Sequence, residues 1–111
     1  LSNLVAFTDY NKMQIDGPSD SIMKTDRLID RWTSFGWYAQ QVDGHDFEAL
    51  DKALENALAE ESRPSMIIGD TVKGKGLPFA EGDFKNHNMP LTQEQAQVAY
   101  ESLSREKEAL V

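Results

Sequence analysis

A cluster of polar residues directly follows the first apolar run of the chain. Asp9, Tyr10 and Asn11 come after the apolar residues 4–7, and Asp16 follows shortly afterwards. Carboxylate and amide oxygens, with the carbonyl groups of a loop, are the ligands that Mg²⁺ or Ca²⁺ prefers. The spacing is not that of an EF-hand loop, and asparagine and aspartate also stabilise ordinary turns by bonding their own backbone. These residues alone therefore leave two interpretations open, a polar turn and an oxygen-ligand metal site.

A second cluster, Lys73-Gly74-Lys75-Gly76, has the composition of a phosphate-binding loop. Glycine allows backbone N–H groups to approach an anion, and lysine adds positive charge. The cluster lacks the spacing of a Walker motif, and no helix follows it directly. A phosphate site and a solvated loop both remain compatible with it.

The chain has two histidines, His45 and His87, and each could serve as an acid, a base or a hydrogen-bond donor. His45 stands beside Asp46 in a turn that begins a helix, which favours a structural role. His87 lies in a long loop predicted from Thr71 to Leu91, and long loops in compact domains are usually functional or disordered. No nucleophilic triad and no pair of catalytic carboxylates can be assigned from the sequence.

The composition restricts the class of protein. With 111 residues, 40% of them hydrophobic, the chain is long enough for one compact domain. The net charge of −8 argues against a nucleic-acid or acidic-membrane partner, and the absence of cysteine excludes disulfides and thiolate chemistry. No apolar run approaches the roughly 18 residues of a membrane span, and no signal peptide is visible. We expect a soluble, cytoplasmic protein. The start at Leu1 is compatible both with a natural domain that begins there after processing and with a piece of a longer chain.

Hydrophobic periodicity predicts strands that alternate with helices. The predicted strands are 4–9, 37–42 and 65–70, and the predicted helices are 25–35, 47–60 and a last one from Thr92 to about residue 110, with loops at 14–21 and 71–91. This order predicts an α/β fold, a partial doubly wound parallel sheet with flanking helices. Ligands of such sheets bind beyond the carboxyl ends of the strands, where the three polar clusters of this sequence fall.

Caps and core faces follow from the same patterns. Thr25 or Asp26 is predicted to cap the first long helix, with Gly36 after its end, and Asp46 to cap the second. Thr92 and Gln95 form a capping box for the last helix. The residues expected to face the core are Phe47, Leu50, Leu54, Ala57 and Leu58 of the second helix, together with Trp32, Phe35 and Trp37.

Three stretches taken together resemble one family. They are "LSNLVAFTDYNKMQIDG", "FGWYAQQVDGHDFEAL" and "IIGDTVKGKG…NHNMPL". They are similar to the thiamine diphosphate-binding domain of transketolase, above all to the separately encoded N-terminal subunit of many prokaryotes. The resemblance covers nearly the whole chain and implies that residues 1–111 are one partial domain whose upstream portion is missing.

The resemblance also implies roles for individual residues. The side-chain oxygen of Asn11 and the backbone carbonyl of Met13 would be ligands of Mg²⁺, or of Ca²⁺ in its place. Lys73 would contact thiamine diphosphate, and His87 would lie near the diphosphate and the reacting sugar as a cofactor-binding and catalytic residue. Asp9 would then have a turn or supporting role.

The chain departs from the family pattern at three points. Lys12 and Asn88 stand where the family often has glycine, which could alter the path of each loop. The Gly-Asp-Gly that opens the family's diphosphate motif, and whose aspartate is a metal ligand, is absent from the sequence.

The resemblance implies a transferase that moves a two-carbon ketol unit between sugar phosphates, as in the pentose phosphate pathway. The implied partner is the complementary C-terminal transketolase half, in a homodimer or a heterotetramer, and we expect the 111 residues alone to be inactive. Two alternatives remain. One is another thiamine diphosphate enzyme, such as a deoxyxylulose-phosphate synthase or a sulfur-sugar ketolase, and the other is a non-catalytic fragment that binds a partner.

Overall fold

The structure is a computed structural model that describes residues 1–110, and these residues cluster into two compact units. The first unit comprises residues 1–11 and 24–71, and the second comprises residues 12–23 and the chain from Val72 onward. In chain order the elements are β1 (Val5–Tyr10), β2 (Met13–Gln14), β3 (Gly17–Pro18), α1 (Ser19–Ile22), α2 (Leu28–Ser34), β4 (Tyr38–Asp43), α3 (Phe47–Ala59), β5 (Ser65–Asp70), a 3₁₀ helix (Phe84–Asn88) and α4 (Gln93–Ala109). Within residues 1–110, no helix combines the length and the apolar character that a membrane crossing needs.

The first unit is built on a three-stranded parallel sheet in the order β1-β5-β4. The last strand in sequence is therefore the central one, and Phe7 of β1 and Gln40 of β4 both lie level with Ile67 of β5. Every residue of β5 from Ser65 to Gly69 is buried, because a central parallel strand is covered on both faces. The predicted α/β fold with a parallel sheet and flanking helices is confirmed.

The two long helices of this unit cover opposite faces of the sheet. The chain passes from β1 to β4 through α2 and returns from β4 to β5 through α3. Because crossovers between parallel strands are right-handed, crossovers in opposite directions place their helices on opposite faces. Helix α3 is tied to β4 by Gln40, whose Nε2 donates to the Ala53 carbonyl (2.9 Å) and whose Oε1 accepts from Asn56 Nδ2 (2.9 Å).

The core face of α3 differs from the predicted one. Ala53 and Ala57 pack against Ile67, whereas Phe47 and Leu58 are 86% and 78% exposed. Small side chains allow the helix backbone to approach the sheet closely, so that the alanines occupy the contact and the large residues fall on its flank. The prediction of Phe47, Leu54 and Leu58 as core residues was wrong for the described chain.

Helix α2 begins later than predicted. Its first residue is Leu28, and the preceding Arg27 adopts a left-handed conformation (φ 56°) without a side-chain cap. Asp26 instead forms an ion pair with Arg31 (3.2 Å), so the predicted cap at residue 25 or 26 was wrong.

The end of α2 is as predicted. Gly36 has φ 84°, which suits glycine after a helix end. Trp32 and Trp37 are partly buried and meet edge to face, with their ring centroids 4.9 Å apart. Phe35 is 79% exposed because it is the C-cap residue, beyond the last helical turn, and its assignment to the core was wrong.

The second unit contains an antiparallel hairpin of β2 and β3, the short helix α1, the 3₁₀ helix and α4. The segments predicted as loops, 14–21 and 71–91, therefore contain short regular elements. The Thr92 capping box is confirmed, since its Oγ1 accepts from Gln95 N–H (3.2 Å) and its own N–H donates to Gln95 Oε1 (3.0 Å).

Candidate cofactor-binding site

The carboxyl ends of the three parallel strands carry polar residues that bond to one another. The Thr71 hydroxyl donates to Asp9 Oδ1, and Gln41 Nε2 donates to Asp70 Oδ2 (2.7 Å). Register places Tyr10 level with Asp70. Asp9 therefore joins the end of β1 to the residue after β5.

The turn after β4 uses its polar groups for local structure. Asp43 Oδ1 accepts from His45 N–H (2.8 Å), and Asp46 Oδ1 accepts from the N–H groups of Glu48 (2.9 Å) and Ala49 (3.1 Å). Gly44 N–H donates to the carbonyl of Asp70 (2.7 Å). The predicted N-cap at Asp46 is confirmed, and the carboxylates of this turn accept hydrogen bonds from backbone N–H groups.

The predicted metal ligands lie on either side of Lys12. Asn11 follows β1 in the first unit and is partly buried, and Met13 begins the hairpin of the second unit. Lys12 adopts φ 63°, a left-handed conformation that glycine reaches without steric strain, which is a physical reason for glycine at this position in the family pattern.

The hairpin geometry determines where the Met13 carbonyl points. Ser19 N–H donates to the Lys12 carbonyl (2.8 Å), so Met13 and Pro18 are the non-hydrogen-bonded pair of the ladder. In such a pair the backbone carbonyl is directed away from the partner strand. Asn11 and Met13 thus offer two kinds of oxygen donor, an amide and a backbone carbonyl, and both are donors that Mg²⁺ accepts.

The segment that follows β5 is held by its own backbone and by acidic side chains. The Lys73 carbonyl accepts from Gly82 N–H (2.9 Å), and the Gly74 carbonyl accepts from Leu77 N–H (3.1 Å). Gly76 N–H donates to Glu81 Oε1 (2.9 Å). The Gly76 N–H group is therefore bonded to a side chain of the same segment.

The two lysines of this segment have different surroundings. Lys75 lies 3.9 Å from Glu81 and is exposed. Lys73 is partly buried, and its side chain makes no hydrogen bond or ion pair with any part of residues 1–110. It lines a cavity of about 310 Å³ whose other lining residues are Gly74, Leu77, Ala80, Asn86, Met89 and Leu91.

His87 belongs to the 3₁₀ helix of the same unit as Lys73. Asp83 begins this helix by accepting from Lys85 N–H (2.9 Å) through Oδ1. The His87 imidazole is exposed and forms no hydrogen bond or ion pair in the described part of the chain. Both Lys73 and His87 therefore keep their polar atoms available, on a segment whose backbone is well bonded.

Three residues of this segment were missed by sequence reasoning. Glu81, Asp83 and Asn86 bond the loop internally. Asp83 directly precedes the 3₁₀ helix, and an aspartate at that position is a recognisable N-cap signal. No local sequence pattern identifies the partners of Glu81 and Asn86. Within residues 1–110 no group of three or more histidine, cysteine, aspartate or glutamate side chains is placed to hold a metal ion.

A sequence profile described as "Transketolase, thiamine diphosphate binding domain" matches residues 1–109. The chain belongs to the transketolase family. The resemblance seen in the three sequence stretches is thereby confirmed.

Two curated members of the family illustrate the relationship. The chain is 46% identical over 106 residues to the 6-deoxy-6-sulfo-D-fructose transketolase subunit SqwG of Clostridium sp. strain MSTE9, covering 96% of this chain and 38% of that subunit. It is 34% identical over 110 residues to an apulose-4-phosphate transketolase subunit of Phocaeicola vulgatus, covering 99% and 39% of the two chains. The chain thus spans about two fifths of the length of these relatives.

Solved transketolase structures share the fold. The crystal structure of transketolase from Campylobacter jejuni matches with a TM-score of 0.82 and 31% identity, over 90% of this chain and 16% of that one. The transketolase of Leishmania mexicana matches with a TM-score of 0.80 and 30% identity, over 91% and 15% of the two chains.

Proposed function

We propose that this transketolase-family chain supplies part of the thiamine diphosphate and Mg²⁺ site of an enzyme that transfers a two-carbon ketol unit between sugar phosphates. The observation that carries the proposal is the environment of Lys73. Lys73 is partly buried and lines a cavity, and its ammonium group has no counterion in residues 1–110, whereas Lys75 is paired with Glu81.

An ammonium group without a counterion can bind an anion without first breaking an ion pair. A diphosphate supplies the missing counterion, and the resulting charge-assisted hydrogen bonds are about twice as strong as neutral ones. The net charge of −8 makes such a local positive group more necessary, because the chain as a whole repels anions. Lys73 is therefore the proposed contact to the diphosphate.

Asn11 and Met13 are the proposed protein ligands of the metal. Mg²⁺ takes six oxygens and commonly combines one or two protein groups with phosphate oxygens and water. An amide oxygen from Asn11 and a carbonyl oxygen from Met13, directed away from the hairpin partner, fit that pattern. The same two donors are also acceptable to Ca²⁺.

His87 is the proposed catalytic residue. A bound thiamine diphosphate would supply the chemistry by which a carbon–carbon bond is broken and formed. The His87 imidazole makes no hydrogen bond within residues 1–110, so it can donate to a developing oxyanion of the sugar. Such donors typically contribute about 10²–10³ in rate.

The first unit presents an apolar surface that suggests how the domain is completed. Val5 and Phe7 share a sheet face with Ile67, which α3 covers, and are 37% and 53% exposed. At about 100° per residue, Phe47, Leu54 and Leu58 lie on the flank of α3 opposite to the one that meets β4. We define Val5, Phe7, Phe47, Leu54 and Leu58 as the β1-side apolar surface.

Parallel sheets are normally covered on both faces, so an edge strand with such a surface is unusual in a complete domain. We propose that residues 1–111 are one partial domain and that an upstream part of the same domain covers the β1-side apolar surface. A complementary transketolase half then completes the active site, in a homodimer or heterotetramer. The description of two relatives as subunits supports a partner of this kind.

The proposal is tested by calorimetric titration of the full protein that contains this chain with Mg²⁺ and thiamine diphosphate. We expect Lys73→Ala to weaken binding about 10- to 100-fold, since a hydrogen bond to a charged group contributes about 1.5–3 kcal/mol. Lys75→Ala is the matched control and should change the affinity less than about twofold, because its charge is exposed and already paired. Equal affinities for the wild-type protein and Lys73→Ala would exclude the role of Lys73.

The metal ligands and the completeness of the chain have separate tests. Asn11→Ala should weaken Mg²⁺-dependent cofactor binding, and an unchanged affinity removes its assignment as a ligand. The purified 111 residues should show no ketol transfer, and detectable turnover by them would contradict the partial-domain proposal.

A sulfosugar substrate is the second candidate, because a sulfofructose transketolase subunit is 46% identical to this chain. Product analysis with xylulose 5-phosphate or 6-deoxy-6-sulfofructose as the donor distinguishes the two substrates. Formation of deoxyxylulose phosphate from pyruvate would instead indicate the synthase, and the absence of both turnover and cofactor binding would indicate a non-catalytic partner-binding role.

A further inference from the structure

The side chain of Asn86 connects two parts of the segment after β5. Its Nδ2 donates to the carbonyl of Ala80 (2.6 Å), across six residues of sequence. That carbonyl also accepts from Asp83 N–H (3.2 Å), and Ala80 itself is only 2% exposed. The amide of Asn86 therefore bonds a buried carbonyl at the far end of the loop.

The same amide also lies against Gly74. A Cβ atom built on Gly74 would be 2.6 Å from Asn86 Nδ2 and 2.6 Å from the Ala80 carbonyl oxygen. Gly74 has φ 76°, a conformation in which other residues are strained. Glycine thus allows the turn after Lys73 to pack directly on the Asn86–Ala80 hydrogen bond.

Asn86 is next to His87 in the 3₁₀ helix, and Gly74 is next to Lys73. One side chain therefore connects the backbone that carries the lysine to the backbone that carries the histidine. Asn86 also lines the cavity that Lys73 lines. No other side-chain hydrogen bond described in residues 1–110 joins the 3₁₀ helix to the Gly74–Ala80 turn.

We propose that Asn86 is a positioning residue for the cofactor site, which holds the turn after Lys73 in the geometry that a bound diphosphate requires. The inference rests on the proposed function of Lys73. Loops open locally at low free energy unless buried hydrogen bonds hold them, and a charged group that is displaced by about 1 Å loses much of its effect. In this proposal Asn86 acts through the backbone of the turn that follows Lys73.

Two variants separate the hydrogen bond from the volume of the side chain. Asn86→Ala removes both, and Asn86→Asp keeps the shape but places a carboxylate beside the Ala80 carbonyl. The matched control is Asn88→Ala, because Asn88 is exposed in the same helix and forms no side-chain hydrogen bond in the described chain. All variants are made in the full protein.

The first measurement is hydrogen–deuterium exchange of the segment from residue 72 to residue 91 without cofactor. Both Asn86 variants should exchange faster than the wild-type protein there, and Asn88→Ala should not. The second measurement is the affinity for thiamine diphosphate with Mg²⁺, which each Asn86 variant should lower about three- to tenfold. In a Lys73→Ala background, Asn86→Ala should change the affinity less than about twofold, because the residue acts through the lysine.

The outcomes distinguish this inference from the proposed function. If the wild-type protein binds no cofactor, the proposed function fails and the inference fails with it. If the wild-type protein binds and Lys73→Ala weakens binding, the proposed function stands. Unchanged exchange or affinity in the Asn86 variants, or an equal loss in the Lys73→Ala background, would then overturn the positioning role alone.

Discussion

The turn Asp43–Asp46 and the segment Lys73–Asn88 each follow a parallel strand and each contain glycine and a histidine, yet their polar groups are used differently. In the turn, both aspartates accept hydrogen bonds from neighbouring backbone N–H groups. In the segment, Glu81, Asp83 and Asn86 bond the backbone, and the side chains of Lys73 and His87 make no hydrogen bond within residues 1–110.

The comparison shows that residue type alone does not identify a site. An aspartate or glycine in a turn is normally explained by local structure. Asp43 and Asp46 of the turn are explained in this way, because each accepts hydrogen bonds from nearby backbone N–H groups. In the segment Lys73–Asn88, additional side chains stabilise the backbone. Lys73 and His87 are therefore held in place, while their own side chains form no hydrogen bond within residues 1–110. Four predictions test this distinction, from the largest expected effect to the smallest.

The two histidines should differ most. His87→Ala in the full protein should lower kcat for ketol transfer about 10²- to 10³-fold, since a donor to a developing oxyanion is lost. His45→Ala should leave kcat unchanged, because its turn is formed by the backbone and by Asp43 and Asp46. Steady-state kinetics with sugar phosphates measures both, and similar losses in the two variants would contradict the comparison.

Two glycines of the second segment should differ in their effect on stability. Gly74→Ala should lower the free energy of unfolding by about 2–3 kcal/mol, because a left-handed conformation and a clash with Ala80 and Asn86 combine. Gly82→Ala is the matched control, with φ 67° and no atom within 4 Å of its Cβ position, and should cost about 1 kcal/mol. Urea denaturation distinguishes the two, and equal losses would show that the close packing of Gly74 is unimportant.

The cap of α3 should affect stability without affecting cofactor binding. Asp46→Ala removes the acceptor for the N–H groups of Glu48 and Ala49 and should cost about 1 kcal/mol. Asp51→Ala, at an exposed position in the same helix, should change stability by less than about 0.5 kcal/mol. A loss of thiamine diphosphate affinity in Asp46→Ala would mean that this turn contributes to the site.

Glu60, at the end of α3, is another carboxylate used for local structure. Hydrogen bonds from the Ser62 hydroxyl and backbone N–H, with a smaller contribution from Arg63, lower the pKa of Glu60 to about 2. Ser62→Ala should therefore raise this pKa more than Arg63→Ala does, as measured by NMR titration of the carboxyl carbon. The reverse order would contradict the assigned cause.

The direction of the resulting pH dependence follows from that shift. Because the folded-state pKa lies below the ordinary value of 4.5, the interaction stabilises the fold above about pH 4.5 and is lost as the pH falls towards 2. The hydrogen bonds that lower this pKa all come from the short turn at the end of α3, so we expect the effect on unfolding to be the smallest of the four.

Local patterns were sufficient to predict most elements. The strand Ser65–Asp70, the N-cap Asp46 and the Thr92 capping box were predicted at the residues where they occur. These features depend on side chains that act on backbone a few residues away, so a short stretch of sequence contains the information. The family resemblance added the candidate residues, because it compares the whole arrangement of the three stretches.

The sequence by itself therefore determined the alternation of strands and helices, the caps at Asp46 and Thr92, and the family. Only the tertiary structure decided that β5 is central and that Ala53 rather than Phe47 faces the sheet. It also decided that, within residues 1–110, Lys75 has a counterion and Lys73 has none. Each of these depends on groups that are brought together by folding, over distances along the chain that no local pattern records. Packing against a sheet and pairing of charges depend on which side chains are in contact in the folded chain. Contacts between residues that are distant in sequence form only in the complete fold.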